Sequence, residues 1–382
     1  MKKPLLSLLT VLLAAAQATA FVPPADRTSG NQQKASLLRP RPPALTTTTL
    51  TITSNTASST KLQAVPAVSK ILPLSQKIFL SSLLPTCLGF WKSAYGDSYA
   101  YGIATALISF WIYQYFATSI KALAVPSLAW LIKCHAGALM CVCVFCGIRV
   151  VVFLLYRELC TQNMKESVKE IEVKTAERWS RPERTLFLVL CASLYFGLCA
   201  PLLLTCHMAT TKAVVLPKFV LTTAKTMVGL MWGGFVFAAV GDFNKSIVKA
   251  IKGEYHLVTG GLYALCRHPN YTGDLVGWTS NGILAVLAGG VLLGTEGAMP
   301  ILKLIGYVTA SVLGVLLLDF VLLGATNRLE KHQKETHGDS ERYKAWVEKT
   351  WTGFGLPTKN RKVHVEPEIE VEDIPEEGGT GI

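Results

Sequence analysis

The sequence predicts an all-α fold, a polytopic transmembrane helical bundle of six or seven spans with a cofactor pocket at its cytosolic or stromal C-terminal side. Three observations predict it. The 382 residues are 51% hydrophobic and only 16% charged, with a mean hydropathy of +0.38, whereas soluble domains carry about 25% charged residues. Apolar runs recur near the ~20 residues that a bilayer requires. Lys and Arg concentrate in alternate connections between those runs. Disorder of most of the chain and a disulfide-rich secreted scaffold are excluded. A soluble globule would have to bury more apolar surface than one core of this length offers.

The runs are A (73–91), B (98–117), C (134–156), D (185–206), E (219–241), F (275–293) and G (301–323). A is weakened by Lys77 and Pro85; F is Gly-rich and expected to tilt or partly re-enter. The connections 157–184, 242–271 and 327–362 hold seven, four and nine Lys or Arg. The opposite connections 118–127, 207–218 and 294–303 hold one, two and one. Twenty against four orients the bundle, the basic side facing stroma or cytosol. Residues 164–179 read as a charged amphipathic helix on the membrane surface.

The net charge of +12 conceals an asymmetry, because 365–382 hold seven acids and no base. The segment 363–382 reads as a solvated, disordered acidic tail. The basic remainder follows the positive-inside rule, so the expected partners are the lipid bilayer and an apolar small molecule, with no nucleic acid. Most of the ten cysteines lie inside apolar runs. Cys141, Cys143 and Cys146 read as small packing residues, and no metal site is expected.

Residues 1–20 have a basic start, an apolar stretch from Leu5 to Ala16, and Ala18-Thr19-Ala20 as a small-residue cleavage site. They read as a signal peptide. Residues 21–64 open with Phe21-Val22-Pro23 and hold 14 Ser or Thr, five Lys or Arg and one acid. This segment resembles a transit peptide, and the junction resembles the bipartite presequence of complex plastids. A plastid membrane is therefore the expected location, with the endoplasmic reticulum as the alternative. The transmembrane domain is placed at 65–362, its cofactor part at 242–357.

Chemistry gathers on the basic side. Between Gly260 and Trp278, five polar side chains are concentrated: Arg267, His268, Asn270, Tyr271 and Asp274. Pro269 biases His268 away from helical backbone, and free backbone at a helix mouth is tolerated only against protein or a wet cavity. Asp242, Lys245 and Lys249 share one helical face. Asp319, Thr326, Asn327 and Glu330 share another, followed by an amphipathic stretch with Tyr343 and Trp346. Arg149 and Asp319 are the deeply placed charges, each eight residues from a basic-side boundary. Opposite charges at one depth in hydrocarbon cost far less together, so the two are expected to pair.

These residues carry a resemblance. The segment from about 95 to 357 resembles the steroid 5α-reductase C-terminal superfamily, through Tyr101-Gly102, Gly147-Ile148-Arg149, Asp242-x-Asn244-Lys245-x-x-Val248-Lys249, Gly261-Leu262 to Trp278, and Glu330 with Tyr343. The family usually has Gln and Phe at positions 244 and 248, and Glu at 274. The resemblance implies NADPH-dependent reduction of a C=C bond in an apolar, lipid-like substrate such as a sterol or isoprenoid. It implies catalytic roles for His268, Tyr271 and Asp274. It implies cofactor binding by Lys245, Lys249, Arg267, His268, Asn270, Tyr271, Asp274, Glu330 and Tyr343. Isoprenylcysteine carboxyl methyltransferases share the scaffold and the Arg-His-Pro stretch. The alternative is therefore S-adenosylmethionine-dependent methylation, with Glu330 facing the cofactor's amino group. A non-catalytic membrane protein is the minor alternative.

A fluorescent fusion of residues 1–70 is expected to enter the plastid, and Phe21→Ala to stall it at an outer compartment. Secretion of the unaltered fusion would remove the targeting assignment.

Overall fold

The computed structural model describes residues 73–117, 119, 135–211, 216–295 and 299–354. The signal peptide, the transit-like segment, the acidic tail and Pro357 lie outside the described residues. Ten α-helices and two short 3-10 helices, Ser93–Tyr95 and Gly261–Ala264, follow one another among the described residues, with no strand; the α-helices are numbered here. They are α1 Leu74–Thr86, α2 Leu88–Trp91, α3 Tyr99–Phe116, α4 His135–Cys160, α5 Gln162–Arg178, α6 Arg181–Thr210, α7 Lys218–Lys252, α8 Pro269–Leu293, α9 Ile301–His337 and α10 Glu341–Lys349.

Helix boundaries follow local chemistry. At the start of α6, Glu183 Oε2 accepts from the backbone N–H and hydroxyl of Ser180, both at 2.8 Å, and closes a capping box. Helix α7 stops at Gly253, whose φ of 98° suits a residue without Cβ. Pro269 occupies the first turn of α8, where its missing N–H costs no intrahelical bond. Segment F is thus the main part of one continuous helix of 25 residues, and the expected re-entrant break is absent from it. Asn270, Tyr271 and Asp274 stand on the first two turns of that helix.

Five helices, α4 and α6 to α9, are long and apolar enough to cross a membrane. They display exposed Leu302, Leu313 and Leu316 toward the outside, a surface that lipid covers at no cost. The chain is an integral membrane protein by this composition. Among the described residues five helices meet this measure of length and apolarity, against the six or seven spans expected. Segment A yields α1, 13 residues or about 20 Å, ended near Pro85. Segment B yields α3, 18 residues long, whose Tyr99, Tyr101, Tyr113, Gln114 and Tyr115 dilute its apolarity. Even so, α3 runs the height of the bundle, from Tyr99 at the basic end to Phe116, whose ring meets that of His207 edge to face near the far end of α6.

Helix α8 is central. It packs on α6, α7 and α9, while α3 packs on α4 and α1. Trp278 of α8 and Phe235 of α7 are buried together, their rings 5.2 Å apart. The C-terminal ends of α4, α7 and α9 and the N-terminal ends of α6 and α8 meet around one cavity, with α5 alongside. The three connections counted as basic therefore lie at one end of the bundle.

The α7–α8 crossing depends on two glycines in contact. A Cβ on Gly234 would lie 2.4 Å from the Gly273 carbonyl oxygen, and one on Gly273 would lie 2.3 Å from that of Gly234. Gly234→Ala is expected to destabilise the protein by about 1–3 kcal/mol through overpacking. Gly229→Ala, where nothing lies within 4 Å, is expected to be neutral or slightly stabilising. Thermal melts of the two purified variants in one detergent check the contrast.

Candidate functional site

The site begins at a second close approach. A Cβ on Gly102 would lie 2.7 Å from Gly147 O, and one on Gly147 2.5 Å from Gly102 O. Only glycine lets α3 and α4 meet there, and the neighbouring Tyr101 and Arg149 both reach the cavity. That cavity has a volume of about 1040 Å³, large for a single small-molecule site. Its polar wall carries Tyr101, Arg149, Asp242, Lys245, Asn270 and Asp274, with Lys249, Tyr263 and Tyr271 beside them.

Arg149 is bound at this wall. Its Nη2 donates to both Asp274 oxygens, at 2.7 and 2.9 Å, and its Nη1 lies 4.0 Å from Asp242 Oδ2. Nε and Nη1 are buried without a hydrogen-bond partner among the described residues. The expected Arg149–Asp319 pair is corrected, because Arg149 is taken by Asp274. Asp319 Oδ2 instead accepts from Thr279 of α8 at 2.8 Å. Equal depth did not imply equal azimuth, since α4 packs on α3 and α7 while α9 packs on α6 and α8.

Lys245 reaches the cavity with no hydrogen bond or ion pair among the described residues. Lys249 is partly occupied, its ammonium donating to the Glu254 carbonyl and, at 3.3 Å, to Glu254 Oε1. Tyr271 lines the cavity with no hydrogen bond to its hydroxyl among the described residues. The Tyr263 hydroxyl is buried without a partner, and burial, reinforced by Asp242, holds that phenol protonated well above its usual range.

The rest of the Arg-His-Pro motif points elsewhere. Arg267 Nε donates to Glu330 Oε1 at 2.8 Å, and Nη1 donates to the carbonyls of Val347 and Thr350 at 3.0 and 2.8 Å. Nη2 donates to the Thr352 hydroxyl. The backbone adds Arg267 N–H to Trp351 O at 2.9 Å, and Trp351 N–H to Leu265 O at 3.2 Å. His268 is 2% exposed, and its Nε2 lies 2.7 Å from the same Glu330 oxygen. Burial holds the imidazole below its usual range; neutral, with Nε2 protonated, it donates to the carboxylate.

Arg267, His268 and Glu330 therefore form a latch that ties the segment after α10 to the start of α8. None of the three lines the cavity. Tyr343 packs in a separate buried cluster with Val258, Tyr263 and Trp346. Of the expected site residues, Lys245, Lys249, Asn270, Tyr271 and Asp274 share the cavity. Arg267, His268, Glu330 and Tyr343 stand outside it, because the C-terminal carbonyls and the latch carboxylate take the donors. Cavity residues with no assigned role in the sequence reading include Arg157, at the basic-side end of α4, Tyr263, which sits inside the motif, and Asp97, before α3.

The family described as "Protein of unknown function (DUF1295)" matches residues 105–350. The chain belongs to this family, which is related to steroid 5α-reductase-like membrane proteins. No curated protein and no solved structure matches the chain.

Breaking the buried pair leaves one charge uncompensated, so Arg149→Ala or Asp274→Ala is expected to cost about 3–5 kcal/mol. The double change Arg149→Met with Asp274→Leu is expected to recover much of that loss. Thermal unfolding of the three purified variants in detergent measures both effects.

Proposed function

We propose that the chain is a membrane reductase of the steroid 5α-reductase C-terminal superfamily, using NADPH to reduce an electron-poor C=C bond in an apolar substrate drawn from the bilayer. The observation that carries this reading is Lys245. Its ammonium opens into a large cavity at the basic end and has no partner among the described residues. A half-buried cation without a partner favours an anion, and phosphate oxygens accept charge-assisted hydrogen bonds from such a group. Lys249 and Arg157 line the same wall and add to the attraction. The residues present thus fit a dinucleotide phosphate, with Asn270 available to orient its neutral parts.

Bound there, NADPH supplies a hydride. The protein's own task is to place the substrate and deliver a proton to the carbon next to the one reduced. Tyr271 is the donor this reading assigns. Its hydroxyl faces the cavity without a partner, and Arg157 lies within electrostatic reach to stabilise the phenolate left behind. Asp274 is a positioning residue, both its oxygens being held by Arg149. His268 drops out as a proton donor to substrate because it lies in the latch. The methyltransferase alternative required Glu330 to face the cofactor's amino group, yet Glu330 is already engaged by Arg267 and His268. On the targeting interpretation of residues 1–64, the membrane concerned belongs to a complex plastid.

The test is direct binding to the purified full chain in nanodiscs. NADPH is expected to bind saturably, and Lys245→Ala to weaken it by on the order of 1–3 kcal/mol. Tyr271→Phe should leave binding intact while lowering turnover of any substrate found. Saturable S-adenosylmethionine binding, with none for NADPH, would select the methyltransferase instead.

A further inference from the structure

The outer face of α7 stays apolar well past the end of its apolar run. That run ends at 241 in the sequence, yet no exposed residue from Gly229 to Ile251 carries a polar side chain, the last five being Val240, Phe243, Ile247, Ala250 and Ile251. Lys225 and Thr226 are exposed just before this stretch, and Lys252 just after it. At 1.5 Å per residue the stretch is about 33 Å long, against ~30 Å for a hydrocarbon layer. Phe243 is 67% exposed and Ile251 77%. With Ile247 they lie on the side of α7 turned away from Asp242, Lys245 and Lys249, since a helix advances ~100° per residue. The other polar side chains of this part are taken up locally. Asn244 donates to the Gly260 carbonyl at 3.1 Å, and Ser246 to the Asp242 carbonyl at 2.8 Å.

Helix α4, which packs beside α7, repeats the pattern independently. Its exposed residues beyond Arg149 are Val152, Leu155, Tyr156, Leu159 and Cys160, none of them charged. The first exposed charge after them is Lys165, on α5. The approach of Arg149 Nη1 to Asp242 Oδ2, at 4.0 Å, sets these two residues at one level. From that level the apolar surface continues nine residues along α7 to Ile251 and ten along α4 to Leu159, about 14 and 15 Å. Helix α9 offers no such surface, for none of 321–330 is exposed.

We propose that the α4–α7 face is seated in lipid, and that the hydrocarbon layer on this side reaches Leu159 and Ile251 instead of ending at 241. Lipid fits this face better than a second protein does. The stripe is continuous with the lipid-facing surface of the span, has no break at 241, and matches a hydrocarbon layer in length. Lys245 then lies about 9 Å below the edge of the apolar layer. Charges at such depth face the interior of a bundle or a wet cavity, as Arg149, Asp242 and Lys245 do. The polar wall is therefore within the membrane, and an anion that reaches it descends past the headgroups. This placement of the bilayer does not depend on which ligand the cavity holds.

The experiment uses the full chain in nanodiscs. A p-acetylphenylalanine carrying an oxime-linked nitroxide replaces Val236, Phe243, Ile247, Leu159 or Lys331, one at a time. Power saturation reads collisions with oxygen, which dissolves in hydrocarbon, and with a nickel chelate, which stays in water. Phe243, Ile247 and Leu159 are expected to match Val236, with oxygen collisions well above those of the chelate, while exposed Lys331 shows the reverse. Chelate collisions above oxygen collisions at Phe243, Ile247 or Leu159 put that face in water and overturn the proposal. Loss of both kinds of collision there puts it against protein, a partner or a second copy, and overturns it too. Should a labelled variant fail to fold, the unaltered chain is irradiated in nanodiscs whose lipid acyl chains carry a diazirine. Adducts within 243–251 support the proposal, and adducts confined to 229–240 overturn it. Neither readout involves NADPH, so a chain that binds no nucleotide sinks the reductase reading alone.

Discussion

A guanidinium buried among apolar helices must be neutralised where it lies, and Arg149 imposes that demand on the bundle. Its charge sits on α4, its bidentate partner Asp274 on α8, and Asp242 stands 4.0 Å away on α7. Three helices are therefore held to one rotation and one depth. Rotating α8 by a single residue would carry Asp274 about 100° away and strand the cation. The glycine contacts serve the same end. Gly102 against Gly147 and Gly234 against Gly273 bring backbones close enough for short acidic side chains to reach the arginine. The wall of the cavity is the exposed side of this arrangement.

Helical geometry also explains why one motif does two jobs. Arg267 and His268 precede α8 and reach across to Glu330 on α9 and to the chain beyond α10. From Pro269 onward the backbone is helical, and Asn270, Tyr271 and Asp274, at i, i+1 and i+4, fall on the face turned to the cavity. The proline marks the change between these directions, since the residue before it is kept out of helical backbone and His268 has φ −131° and ψ 62°.

Much of this was legible in the sequence, and the rest was hidden for physical reasons. Apolar runs of bilayer length marked all five strongly apolar helices, and the bias of twenty Lys or Arg against four marked the end where their termini converge. The amphipathic pattern at 164–179 became α5, with Met164 and Val168 buried against Tyr95 and Tyr99. Partnership was not legible. Arg149 and Asp319 lie at matching depths, but depth is a one-dimensional quantity read along each helix, and the choice of Asp274 depends on which helices are neighbours. Nor could residue type reveal that the donors of Arg267 are taken by the carbonyls of Val347 and Thr350. Asp97, one charge outside a tyrosine-rich run, carried no periodic signal at all.

The latch changes how the lysine row is weighed. On sequence alone, lysines at the basic end of a helix are explained by the positive-inside rule, and Arg267 is the natural phosphate ligand of the motif. With Arg267 committed to the C-terminal segment, attraction for an anion falls to other cations of the cavity. A lysine that merely obeys the positive-inside rule extends its ammonium to bulk water at the membrane surface. Lys245 instead lines the cavity and is only partly exposed, one turn before Lys249 and one turn after Asp242. A cation in that position is unfavourable by itself and becomes favourable when an anion enters. The residue least remarkable in the sequence is therefore the one whose surroundings most require a ligand.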